Sequence, residues 1–134
     1  MANAVTTQVL VDGPRNVIIK VDGYLDTSDY PATAIADPAT LSFVDNGNTY
    51  KASQLRIDRI IYAIDEGLVV TLLWDATTPV RIVDLARSGH MEFQKGQGLQ
   101  NNAGAGKTGK ILLSTEGWGS GIKEFTLYLE LVKQ

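Results

Sequence analysis

Residues 122–133 read IKEFTLYLELVK. Phe125, Leu127, Leu129 and Leu131 fall on one side of an extended chain, and Glu124, Thr126, Tyr128 and Glu130 on the other. Successive side chains of a strand point to opposite faces, so this alternation predicts a β-strand with one face in a core and one in water. The fold class depends on whether the rest of the chain follows this pattern.

Immediately upstream, residues 110–115 carry Ile111 and Leu113 on one face and predict a second strand. Glu116-Gly117-Trp118-Gly119-Ser120-Gly121 joins the two as a flexible turn. Residues 96–109 are rich in Gly, Gln and Asn, have little to bury, and read as a long mobile loop. Pro79 opens a strand at 80–86 (VRIVDLA), in which Val80, Ile82 and Asp84 alternate with Arg81, Val83 and Leu85, so either face can be the inner one. Arg87-Ser88-Gly89 then turns the chain into 90–95 (HMEFQK).

The segment 54–65 (QLRIDRIIYAID) admits two readings. Ile57, Ile60, Ile61 and Ile64 have helical spacing, whereas the β-branched content favours a strand. The strand is preferred, joined by Asp65-Glu66-Gly67 as a short hairpin loop to the apolar strand 68–74 (LVVTLLW), with Gly67 in the left-handed region. At the other end of the chain, 4–11 (AVTTQVLV) and 16–22 (NVIIKVD) predict a hairpin around Asp12-Gly13-Pro14-Arg15. Residues 23–53 read as long connections with one or two short strands, with Asn46-Gly47 as a type I′ turn of a small hairpin between 41–44 and 49–52.

The expectation is an all-β domain spanning 1–134, with roughly eight short strands and little helix. Turn-separated short strands with long connections point to a β-sandwich of jelly-roll or Greek-key layout. The chain has 134 residues, 44% hydrophobic and 20% charged, enough for one core without staples. There are no cysteines, so disulfides and thiolate chemistry are excluded. The start Met1-Ala2-Asn3-Ala4 lacks signal-peptide regions, and no apolar run nears the ~20 residues of a membrane helix. A net charge of -3, with scattered Lys and Arg, disfavours a nucleic-acid partner.

Each motif that suggests chemistry meets an obstacle. Gly104-Ala105-Gly106-Lys107-Thr108 echoes a phosphate-binding loop, but Asn101 stands where its first glycine belongs and a strand follows instead of a helix. His90 is the only histidine, and Ser88-Gly89-His90 does not match a nucleophile elbow. Asp22, Asp26 and Asp29 lack the spacing of a calcium loop. Glu124 and Glu130 share a strand face but lie about 20 Å apart, too far for a glycosidase pair unless Glu92 or Glu116 joins one of them. Trp74 reads as core, whereas Trp118, set among glycines, is either an exposed contact for protein or sugar or a cap on the end of the sandwich. No catalytic residue, cofactor or metal site is therefore expected.

The unprocessed-looking start, the absence of Cys, the many short strands and the arm at 97–110 resemble small auxiliary structural proteins, of the cement or decoration type, encoded in the head-gene region of tailed bacteriophages. So do Leu73-Trp74-Asp75-Ala76-Thr77-Thr78-Pro79-Val80 and Leu99-Gln100-Asn101-Asn102-Ala103-Gly104-Ala105-Gly106-Lys107-Thr108-Gly109-Lys110. The resemblance implies a non-enzymatic virion protein, made in the host cytoplasm, that sits on the capsid exterior, binds the major capsid protein and self-associates as a homotrimer. It also implies a jelly-roll or related β-fold. A carbohydrate- or protein-binding β-module, or another particle role such as head completion or tail, is the alternative.

Overall fold

The computed structural model describes residues 3–93 and 96–134, with the side chains at 42–45 and 50–51 outside the description. Among the described residues there are eleven strands and one short 3-10 turn, Pro38–Thr40. The strands are β1 (Ala4–Asp12), β2 (Asn16–Leu25), β3 (Thr33–Ala36), β4 (Ser42–Asp45), β5 (Asn48–Lys51), β6 (Leu55–Ile64), β7 (Val69–Trp74), β8 (Val80–Ala86), β9 (Ser88–Glu92), β10 (Ile111–Glu116) and β11 (Lys123–Lys133).

Nine of them build two antiparallel sheets, ordered β1-β2-β11-β6-β9 and β3-β10-β7-β8, and β4-β5 form a separate hairpin. The pairs β2·β11, β3·β10, β6·β9 and β7·β8 are nested. They form one long antiparallel hairpin, with its tip at β7–β8, rolled so that alternate pairs land in opposite sheets. This is the eight-stranded jelly roll. β1 is added at its edge, and the β4–β5 hairpin is inserted between its second and third strands. The all-β sandwich expected from the alternation is the fold; the expected strand 4–11 lies outside the eight-stranded frame as β1, and the frame strand β3 falls in the region read as connections.

The two sheets share one core. Val17, Ile19, Val21, Ile57, Ile60, Leu127, Leu129 and Leu131 from the larger sheet face Val70, Leu72, Trp74, Ile111 and Leu113 from the smaller. β11 is central, flanked by β2 and β6, and its inner face matches the alternation read from sequence. Phe125 sits opposite Gly23, and a Cβ at Gly23 would lie 2.1 Å from the Phe125 ring. The ring thus occupies the space that a side chain on β2 would fill.

The strand with helical spacing, β6, and the strand with no clear inner face, β8, both contain β-bulges. In β6, Arg59 pairs with Glu130 and Ile57 with Leu131, which leaves Asp58 as the extra residue. The bulge reverses the parity, so Leu55 and Ile57 point inward before it, and Ile60 and Ile64 after it. Two stretches of period 2 joined by one extra residue imitate helical spacing. Ile61 points outward and is 37% exposed. In β8 the extra residue is Ile82, between Arg81 and Val83.

The hairpin expected between β6 and β7 does not form. Asp65-Glu66-Gly67 reverses the chain, with Gly67 at φ +85°, but β6 and β7 belong to different sheets. The turn is a corner that carries the chain across the sandwich. The β10–β11 connection crosses at the same place. There Gly117, at φ +91°, presses on Gly67, whose carbonyl oxygen would lie 2.3 Å from any added Cβ. The β1–β2 and β4–β5 hairpins form as expected, the second with Asn46 and Gly47 both at positive φ.

Candidate functional site

The outer face of the five-stranded sheet gathers most of the side chains singled out for chemistry. Asp22 on β2, Glu124, Thr126 and Glu130 on β11, Arg59 on β6, and Ser88, His90 and Glu92 on β9 all project there, as the register across the sheet requires. The charged groups are largely engaged with one another. Arg59 lies 3.4 Å from Glu92 and 3.3 Å from Glu130, Lys20 lies 3.2 Å from Asp22, and the Thr126 hydroxyl donates to Asp22 at 3.0 Å.

His90 is exposed and stands opposite Ile61. Ser88 is its i−2 neighbour on the same face, roughly 7 Å along the strand, too far for a nucleophile–base hydrogen bond. Glu124 and Glu130 are separated along β11 as the sequence indicates. The partner found through space is Glu92, which meets Glu130 across Arg59. The guanidinium occupies the gap where an acid–base pair would hold its substrate.

The three aspartates disperse. Asp22 is on the sheet face, and Asp26 lies in the connection after β2, where its backbone N–H donates to Asn3 Oδ1 at 2.8 Å. Asp29 accepts from the Thr115 hydroxyl at 3.1 Å and from the Trp118 backbone N–H at 3.0 Å. Among the described residues no group of three or more His, Asp or Glu is placed to hold a metal ion. Asp29 therefore fastens the β10–β11 corner. Trp118 is half-buried against the core, and its indole N–H is taken by the Gly121 carbonyl at 2.9 Å. Trp74 is in the core.

The segment 104–108 is clamped to the turn after β7. Thr108 donates from its hydroxyl to Asp75 Oδ2 at 2.7 Å and from its backbone to the Asp75 carbonyl at 3.2 Å, while Thr77 N–H donates to the Ala105 carbonyl at 3.1 Å. The strand β10 follows, so no helix N-terminus is available to a phosphate. The longer connection that holds it makes further attachments that composition did not reveal. Leu99 exchanges backbone hydrogen bonds with Ile57 at 3.0 and 2.8 Å, Asn101 donates to Gln54 Oε1 at 2.7 Å, and Ala103 is buried. The signal was present in Leu99 and Ala103, two of the three apolar residues that interrupt the polar run. Gly104, Ala105, Gly106 and Lys107 remain exposed.

Three depressions on the surface lie near these side chains. One of about 590 Å³ lies between the β6–β7 corner and β9, lined by Asp65, Glu66, Arg87, Ser88, Glu124 and Thr126. A second, of about 340 Å³, lies across Glu124 and Thr126 toward Thr6, Asp22 and Tyr24. A third, of about 530 Å³, at the opposite end of β11, is walled by Arg15, Glu130 and the Arg56–Asp58 pair, whose Nε···Oδ1 distance is 2.8 Å. None brings a nucleophile, a base and a cluster of donors to one point.

The largest feature that sequence reasoning passed over is the exposure of β1. Val9, Leu10 and Val11 are 49, 45 and 42% exposed. The signal was available: 4–11 holds no charged residue and follows no single-face apolar pattern.

No protein-family model and no curated protein sequence matches the chain.

Proposed function

We propose that this protein is a non-catalytic structural component of a tailed-phage particle, a cement or decoration protein that braces neighbouring capsomers from the outside. The observation that carries this reading is the use made of its polar side chains. Arg59, Asp29, Asp75, Asn101, Thr108 and Thr115 hold strands, corners and loops of the same chain. What the jelly roll offers a partner is surface and stiffness. A brace on a shell needs area and a rigid frame rather than a reactive centre, and jelly rolls are a frequent capsid architecture. Fold alone does not assign a function, so the phage-like character of the chain supplies the particle.

In this reading the exposed tip of the long connection, residues 104–107, is a contact arm toward the major capsid protein. Its root is tied down at Leu99, Ala103 and Thr108, which lowers the ordering cost on docking. The net charge of -3 supports an outer position, away from packaged DNA. A sugar-binding role for Trp118 has less support, because its indole N–H is already bonded and its side chain packs against the core.

The experiment is to purify particles with and without this protein and heat both. The expected result is DNA release at a lower temperature from particles that lack it. Equal release temperatures would remove the bracing role, and absence of the protein from purified particles would remove the virion assignment.

A further inference from the structure

We propose that two copies of this chain pair through β1, edge to edge and antiparallel, about a two-fold axis at Thr7. β1 is bonded to β2 alone among the described residues. It is the fifth strand of a sheet facing one of four, and seven of its nine residues are exposed. Its outer edge is therefore a row of backbone donors and acceptors open to another strand.

β1 is held ready for such a contact. At its start, the Asn3 side chain accepts from the backbone N–H of Asp26 at 2.8 Å and of Thr27 at 3.1 Å, and donates to the Ser28 carbonyl at 3.0 Å. At its end, Asp12 meets Lys133 Nζ at 2.6 Å. A strand that buries so little and yet is fixed at both ends is pre-organised, so pairing would order little that is not already ordered.

The other edges of the two large sheets carry the usual protection against pairing. β3 is only four residues long, β8 carries Arg81 and Asp84, and β9 carries His90 and Glu92. Residues 4–11 of β1 contain no charge, no proline and no glycine.

The register identifies a second copy as the occupant. Val5, Thr7 and Val9 stand opposite Gly23, Val21 and Ile19, so all three point to the inner side. Beyond Val9 the extra residue Leu10 bulges the strand and reverses the parity, and Val11 stands opposite Ile18. Directly opposed residues of an antiparallel pair share a face. A two-fold axis at Gln8 would oppose Val5 to Val11 across that reversal. An axis at Thr7 opposes Thr7 to itself, Thr6 to Gln8 and Val5 to Val9, within the regular part of the strand. Threonine pairs and β-branched pairs are favourable in such positions, and no charge meets a like charge. The contact is a single strand long, smaller than the ~800 Å² per partner of a standard stable interface, so the dimer is weak and concentration-dependent. It uses a two-fold axis and is separate from any threefold contact made on a shell.

Sedimentation velocity over a series of protein concentrations tests the pairing on the full chain. The wild type should pass from monomer to dimer, and Thr7→Lys, which sets two like charges on the axis, should move that transition to about tenfold higher concentration or beyond, with circular dichroism unchanged. The chain has no cysteine of its own. Thr7→Cys should therefore form a disulfide-linked dimer on mild oxidation. Val9→Cys should not, because in this register the two copies of residue 9 lie about 13 Å apart along the strands, beyond disulfide reach. A wild type that stays monomeric, a dimer indifferent to Thr7→Lys, or cross-linking at Val9 as fast as at Thr7 would each overturn the proposal.

Discussion

β11 and β1 lie in the same sheet, eleven and nine residues long, and differ in what covers them. β11 has a strand on each side and a second sheet beneath it. Phe125, Leu127, Leu129 and Leu131 are at most 2% exposed, so its alternation is imposed by a core. Among the described residues β1 has one bonded neighbour, β2, and only Val5 of β1 packs against the core. Val5, Thr7 and Val9 face the same inner side, yet Val9 remains half exposed. The comparison shows that apolar content does not make a strand part of the core. Position in the strand order does, and a strand outside the core keeps its apolar residues for another purpose or at little benefit to stability.

The largest expected effect is at the centre. Leu129→Ala should lower unfolding stability by about 2–5 kcal/mol, read from urea denaturation, because it leaves a cavity between the sheets. A loss no greater than that of a β1 truncation would break the comparison. Next is the close approach beside β11. Gly23→Ala should cost about 1–3 kcal/mol by forcing the Phe125 ring aside, and Phe125→Leu in the same chain should recover part of that loss. A smaller effect is expected where the two strands are linked. Lys133 is 5% exposed and Asp12 24%, so Lys133→Met should cost about 1 kcal/mol, reduced because water still reaches the carboxylate. Amide exchange in β1 should quicken in that variant while β11 changes little. The smallest effect sharpens the contrast: Leu10→Ala should shift stability by less than about 0.5 kcal/mol, measured as for Leu129→Ala.

How much of this was legible depended on whether a strand is regular. β11, β10 and both short hairpins could be read directly, because period 2 and turn chemistry are local properties. β6 looked half helical because Asp58 interrupts two alternating halves, and β8 showed no inner face because Ile82 does the same. A bulge is defined by the partner strand, and a single strand's sequence does not contain its partner. For the same reason Asp65-Glu66-Gly67 could be recognised as a reversal but not as a corner between sheets. The candidate site residues were judged by motif and spacing, and spacing was enough to set Glu124 and Glu130 apart along one strand. It could not place Glu92 against Glu130 across Arg59, a contact between strands more than thirty residues apart.

The nesting of the strand pairs also sets a timetable. β2 and β6 meet their shared neighbour only when β11 exists, and Lys20 must wait for Tyr128 before its part of the ladder closes. During synthesis, at about 5–20 residues per second, the larger sheet lacks its middle strand for several seconds. Local turns and the β7·β8 and β6·β9 pairings can form in that interval, but the pairings of β2 and β6 to β11 cannot, which places this chain among slow folders of high contact order. Until then the apolar faces of β2 and β6 are open to other nascent chains. Expression at lower temperature, or with more chaperone present, should therefore raise the soluble yield more than stabilising the finished fold does.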